Sequence, residues 1–312
     1  MKNKFIYTIV LFLNNLVSQD LIAPNLHSGS LIDYLNNNYK TNSVLSYSSA
    51  RDTLYSVIDN NNGQVFGIYT NYSTTLNNAI DPSTDLYNNG MNCEHVWPQS
   101  LGAGNSPMKS DMHHLRPCKE NVNSSRANKP YGEIPDNQTN TWFWLNYQYN
   151  NIPQNNIDEF SESGSSNFEP REDVKGDISR SIFYFYTMYT NVADDNFFDE
   201  QKETLLQWHY QDLPNMNEIE RTWGIANYQD GYPNPFVVDT TLVRRCYFYI
   251  ETGLQGDINN DNNVNIIDVV ILVDFILGYQ SLNDNQIEQA NMNNDGTVNI
   301  IDVVMLVENI LY

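Results

Sequence analysis

The sequence predicts an α+β fold, a mainly helical domain followed by a small all-α module. Three observations lead there. Beyond Asp177, "DISRSIFYFYTMYTN" (177–191), "FDEQKETLLQWHYQD" (198–212) and "NEIERTWGIANY" (217–228) have helical lengths and apolar spacings. Upstream, "GQVFGIYTNY" (63–72) has the aromatic and β-branched content of a strand. At the C-terminus "VNIIDVVILVDFIL" (264–277) returns 34 residues later as "VNIIDVVMLVENIL" (298–311), with 11 of 14 positions identical. Two copies are too few for a solenoid, so they form a paired module.

The elements follow in order. "MKNKFIYTIVLFLNNLVSQD" joins Lys2 and Lys4 to an apolar run over Phe5–Leu13 and small or polar residues near Ser18, a signal-peptide pattern occupying 1–19. The run is too short to span a bilayer, and no transmembrane segment follows. The expected location is therefore secreted, extracellular or cell-surface. "SGSLIDYLNNN" and "SYSSARDTLYSVID" read as short helices, while Gly, Pro and Asn mark 80–110 and 129–176 as loop-rich, with "SESGSS" a flexible loop. A boundary near "ETGLQG" separates a domain at 20–252 from a module at 253–312.

The net charge of −22 argues against nucleic acid as a partner until its distribution is considered. Residues 253–312 hold nine acidic residues and no Lys or Arg. Residues 91–131 hold Lys109, Arg116, Lys119, Arg126 and Lys129 against Glu94, Asp111 and Glu120, a local +2 where an anion would dock. Of the three cysteines, Cys93 and Cys118 bracket this island and are the expected disulfide, with Cys246 free.

Inside the island, phosphodiester hydrolysis would need an activated water, a cation on the phosphate and help for the leaving oxygen. His95 is the natural base, and Glu94 a hard oxygen ligand for Mg²⁺. Consecutive strand residues point to opposite faces, so the two serve one site only where the strand ends or bulges. Asn123 or Asn128 could add an amide oxygen, and Arg126, with Arg116 or Lys119, could grip phosphate. His113, His114 and Asp111 read as structural, Trp97 as core and His209 as a helix-surface residue. A zinc cluster of Cys93, His95, His113, His114 and Cys118 has suitable ligand types but no standard spacing.

"NCEHVWPQS", "PMKSDMHHLRPC" and "NVNSSRANKPYG", continued by "GDISRSIFYFY", "LLQWHYQD", "NEIERTWGI" and "NPFVVD", resemble the bacterial endonuclease I family over about residues 25–245. The resemblance implies a ββα-metal (His-Me finger) core. It implies Mg²⁺ or another divalent ion on Glu94 and Asn123, His95 as general base, and cleavage of DNA, and sometimes RNA, with little sequence preference and 5′-phosphate ends. For the family's phosphate-binding arginine Arg126 and Arg180 are the candidates, with capping or pinning of the helix as the alternative role of Arg126. The competing expectation is an inactive, nuclease-like surface-binding protein anchored through its C-terminal module.

In that module Asp257, Asn259, Asp261, Asn263, Asn265 and Asp268 occupy the oxygen-ligand positions of a twelve-residue calcium loop, as do Asn291, Asn293, Asp295, Thr297, Asn299 and Asp302. The sixth position needs a tight turn, which Asn262 and Gly296 supply. Asn291 in place of an acid predicts a weaker second site for Ca²⁺. The tandem resembles a type I dockerin, implying a cohesin-like partner. Ile266–Ile267 and Ile300–Ile301 stand where many members carry hydroxyl residues, so an alternative is that they pack the module on itself or on the larger domain. A monomer is expected.

Overall fold

A computed structural model describes residues 21–249 and 254–311. The expected leader at 1–19 and residues 250–253 of the boundary lie outside the described residues. α1 (Ser28–Tyr39) and α2 (Tyr47–Thr53) form where expected; the Ser46 hydroxyl caps α2 by accepting from Ser49 N, and a π-turn, Leu54–Ile58, continues it. The stretch at 63–72 is less extended than expected. β1 (Asn60–Asn61), β2 (Gln64–Phe66) and β3 (Ser73–Thr75) make a small antiparallel sheet, because Gly67 N donates to Tyr72 O at 2.7 Å and closes the chain after Phe66.

The loop-rich segments hold more structure than composition suggests. α3 (Pro82–Asn88) starts on Asp81, which accepts from Thr84 N, with Pro82 as its first residue. Next come β4 (Met91–His95), β5 (Leu115–Lys119) and α4 (Glu120–Arg126). β6 (Thr141–Trp144), β7 (Tyr147–Tyr149), β8 (Ser161–Ser163) and β9 (Phe168–Glu169) form a second sheet, ordered β7-β6-β8-β9. "SESGSS" is therefore not a flexible loop. Its first three residues are a buried strand whose Ser161 hydroxyl donates to Tyr69 O and accepts from Arg171 N.

The three predicted helices are present: α5 (Lys175–Met188), α6 (Asp195–Gln211) and α7 (Met216–Ala226), followed by α8 (Pro235–Val238) and α9 (Leu242–Tyr247). α5 runs through the core, and Phe185 stacks on Trp97 at 4.8 Å. His209 is a correction. It is fully buried in α6 with Nε2 2.8 Å from Thr240 O, and burial, with the nearby Arg180 charge, pushes its pKa down to about 3.

α10 (Ile266–Ile276), α11 (Asp284–Ala290) and α12 (Ile300–Leu311) close around a separate core of Ile258, Val269, Leu272, Ala290 and Leu306. Asn262 and Gly296 both take positive φ, +66° and +82°. Gly296 lies against the Tyr210 ring of α6, where an added Cβ would come within 2.9 Å, and Arg244 of α9 pairs with Glu288. The module thus leans on the larger domain through its second loop. The isoleucine pairs do not make that contact: Ile266, Ile267, Ile300 and Ile301 are 65, 53, 64 and 44% exposed.

Candidate active site

β4 and β5 pair antiparallel, with Asn92 opposite Cys118, Glu94 opposite Arg116 and His95 opposite Leu115. Cross-strand partners share a face and consecutive residues do not. Asn92, Glu94 and Cys118 therefore face one side, and Cys93 and His95 the other. The expected disulfide is overturned by this register. Cys93 joins the cluster around Tyr55 and Leu86, Cys118 the one around Val122 and Tyr131, and both are free thiols, as is Cys246. Thiol titration of the unreduced, denatured protein is expected to count three thiols; a count of one would restore the bridge.

α4 covers the Glu94 face. Asn123 Nδ2 donates to Asn92 Oδ1 at 2.7 Å and to Cys93 O at 3.2 Å. Glu94 is 1% exposed and its Oε1 accepts from the Tyr69 hydroxyl at 2.7 Å, which is linked in turn to Tyr131 at 2.6 Å. Burial pushes the Glu94 carboxyl up, and the adjacent Arg126 charge opposes that shift. Nothing in the sequence marks Tyr69 or Tyr131 as partners of Glu94, because each reaches it only through the fold.

His95 is the last residue of β4 and is 5% exposed. Its Nε2 lies 3.1 Å from Lys109 O. A carbonyl can only accept, so Nε2 carries the proton and Nδ1 the lone pair. Gln99 Nε2, 3.3 Å from Nδ1, is the donor on that lone pair. The Tyr47 ring lies 5.4 Å away, with Arg51 and Lys109 over it. Burial, with the His114 ring and the Lys109 and Arg126 charges, pushes the imidazole pKa down to about 3. It is neutral throughout the physiological range, with the Nδ1 lone pair unprotonated.

The basic island does not form one anion-binding surface. Arg126, 1% exposed, donates to His95 O at 3.0 Å and Val96 O at 2.7 Å and pairs with Glu94 at 3.1 Å. Arg180, fully buried, holds Glu218 through two bonds of 2.8 and 2.6 Å. Both candidate guanidiniums are enclosed and committed to internal acceptors, Arg126 in the pinning role that is its alternative. Arg116 pairs with Asp177 at 3.1 Å and lines a polar cleft of about 710 Å³ with Arg171, Arg221, Asp59 and Glu218, away from His95. His114 bonds Met108 O, His113 bonds Tyr232 O, and Asp111 accepts from Tyr184, Tyr189 and Gln229, so all three shape the chain entering β5.

The structure thus pairs Glu94 with Arg126, seats Asn123 of α4 on Asn92 and Cys93 of the same strand, and leaves His95 on the other face of the strand end. As donors, a carboxylate and an amide oxygen suit a hard divalent ion. In the C-terminal module Asn259 Nδ2 lies 2.9 Å from Asp261 Oδ2, and Asn293 Nδ2 2.8 Å from Asp295 Oδ2, so the third and fifth positions of each loop converge. Asn291 is 2% exposed and its Oδ1 is buried without a partner, an oxygen suited to a cation.

Fold and site define a two-part α+β protein, one part with an acid–imidazole pair at a strand end, the other a duplicated loop–helix module. The Endonuclease I family model matches residues 29–241, and the chain belongs to that family; the Dockerin type I domain model matches residues 255–311. The chain is similar to the extracellular ribonuclease of Bacillus subtilis (strain 168), 30% identical over 214 residues that cover 62% of this chain and 66% of that protein. It is also similar to the extracellular ribonuclease of Bacillus amyloliquefaciens, 30% identical over 162 residues, 47% of this chain and 50% of that protein. The chain therefore spans from half to about two thirds of the length of these relatives.

Proposed function

We propose that this protein is an exported, metal-dependent endonuclease that hydrolyses DNA and RNA with little sequence preference and leaves 5′-phosphate ends. The observation that carries the reading is the Glu94–His95 pair at the end of β4, in a chain of the Endonuclease I family. In-line displacement puts the attacking and leaving oxygens on opposite sides of phosphorus. Consecutive residues on opposite faces of a strand end suit that demand. His95 Nδ1 would take the proton of the attacking water on one side. A divalent ion such as Mg²⁺, held by Glu94 and Asn123 on the other, would supply charge stabilisation for the leaving oxygen. The similarity to two extracellular ribonucleases supports RNA beside DNA as substrate, and export as the location.

The C-terminal loops are proposed to bind Ca²⁺ and to present the exposed isoleucine pairs to a cohesin-like protein. A second reading, an inactive surface-binding protein, is favoured by the enclosure of both Glu94 and His95. One experiment separates the two. Purified protein is incubated with plasmid DNA or ribosomal RNA in Mg²⁺, in EDTA, and as the Glu94→Gln variant. Degradation of both substrates in Mg²⁺ is expected, stopped by EDTA and at least about 100-fold slower in the variant. No degradation with Mg²⁺, Mn²⁺ or Ca²⁺ would leave the binding-protein reading.

A further inference from the structure

The second sheet has an aromatic face with no part in the chemistry above. The β6–β7 hairpin sets Trp142 opposite Tyr149 and Trp144 opposite Tyr147, so all four rings share one side. Trp142 and Phe160 are buried beneath, while Tyr147 and Tyr149 stand 54 and 44% exposed. The two tyrosine rings are parallel within 7° at 6.1 Å, and Trp144 lies 6.3 Å from Tyr147. The other side of the hairpin is tied to the site. Gln148 accepts from Asn121 at 3.2 Å, two residues before Asn123, and the turn residue Asn146 accepts from Lys119 Nζ.

The carboxyl that shares this side of the sheet, Glu162 opposite Trp142, is buried and accepts from the Thr139 hydroxyl. Residues 137–157 include no Asp, Glu, Lys or Arg in a chain of net charge −22. The cation at its rim is Lys119, whose ammonium also lies 5.1 Å over Tyr72. An aromatic platform whose cross-strand carboxyl is buried, with a lysine at its edge, offers each base a π-face.

We infer that the Tyr147–Tyr149 face stacks the unpaired bases of a single-stranded nucleic acid. The inference rests on the nuclease reading for its purpose, but its test does not. A duplex keeps its bases stacked on one another, so the platform favours single strands. Ribose and deoxyribose strands both present base faces, and the sugar is distinguished by probing each.

Binding is measured in EDTA, where metal-dependent hydrolysis is silent, with labelled oligo-U, oligo-dT and a DNA duplex, each about 15 nucleotides long. The variants are Tyr147→Ala/Tyr149→Ala and, keeping both rings, Tyr147→Phe/Tyr149→Phe. The alanine pair is expected to weaken oligo-U and oligo-dT binding at least about tenfold, since one stacked base is worth about five- to 100-fold. It should leave duplex binding within about twofold, and the phenylalanine pair should bind single strands as the parent does. Equal losses for single strand and duplex, retained single-strand binding in the alanine pair, or no single-strand binding by the parent would each overturn the inference. A loss confined to one of the two sugars would overturn a platform that reads base faces alone. A parent that binds oligo-dT through this face yet cuts nothing in Mg²⁺ would sink the nuclease reading and leave the platform.

Discussion

Arg126→Met is expected to destabilise the protein by about 3–5 kcal/mol, the cost of breaking a buried ion pair by removing one partner. The loss has identifiable parts. Glu94 keeps the Tyr69 hydroxyl but loses its buried counter-charge. The carbonyls of His95 and Val96 lose their guanidinium donors just where β4 ends. The Tyr131 ring loses the cation 4.6 Å away. Methionine has a comparable length and keeps most of the packing, which confines the effect to charge and hydrogen bonds. Arg126→Lys should recover only a fraction, since a single ammonium does not reproduce a planar fork serving three acceptors. Adding Glu94→Gln to Arg126→Met should return part of the loss by removing the orphaned charge. Urea denaturation of the four proteins measures this as midpoint shifts at constant slope. A loss below about 1 kcal/mol, with no coupling in the double variant, would show that Arg126 is not the pin between α4 and the strand end.

Only part of this was carried by the sequence. Helices α5, α6 and α7 were legible because their apolar spacing is local, and so were the oxygen positions of the two C-terminal loops, which follow from fixed offsets within twelve residues. Buried polarity was not legible. "SESGSS" looks like a loop because Ser161, Glu162 and Ser163 are polar, yet they form a buried strand whose partners, Tyr69, Thr139 and Ser125, lie far along the chain. Arg180 and His209 are surface residues on composition alone, and each is interior because a distant acceptor was provided. Glu94 and His95 stand together in sequence, but their divergence is a property of the ladder register, as is the separation of Cys93 from Cys118. Adjacent residue types indicated the chemistry; the faces they occupy came only from the pairing.

His95→Ala is expected to lower kcat by about 10²–10⁴-fold, the range of a lost general base, with KM little changed because the imidazole is not called on to bind the phosphate. The tautomer makes the expectation specific. With Nε2–H fixed on Lys109 O, the proton must go to Nδ1, the atom that faces Gln99. Gln99→Ala removes the donor on that lone pair without touching the ring, and should leave kcat unchanged or raised. If Gln99 instead orients the water, its loss should lower kcat by about as much as a lost positioning contact elsewhere, roughly tenfold. The pH profile tests the enclosure. A pKa held down near 3 keeps His95 neutral above about pH 4, so its active form is fully present from there upward and is lost only as pH falls through about 3. Neither kcat nor kcat/KM should therefore show an acidic limb near 6.5 that belongs to this residue. Such a limb, present in the parent and absent from the residual activity of His95→Ala, would mean that the imidazole works in water rather than behind Tyr47, Gln99 and Lys109. Residual activity equal to the parent's would place the base elsewhere and leave His95 a wall of the strand end.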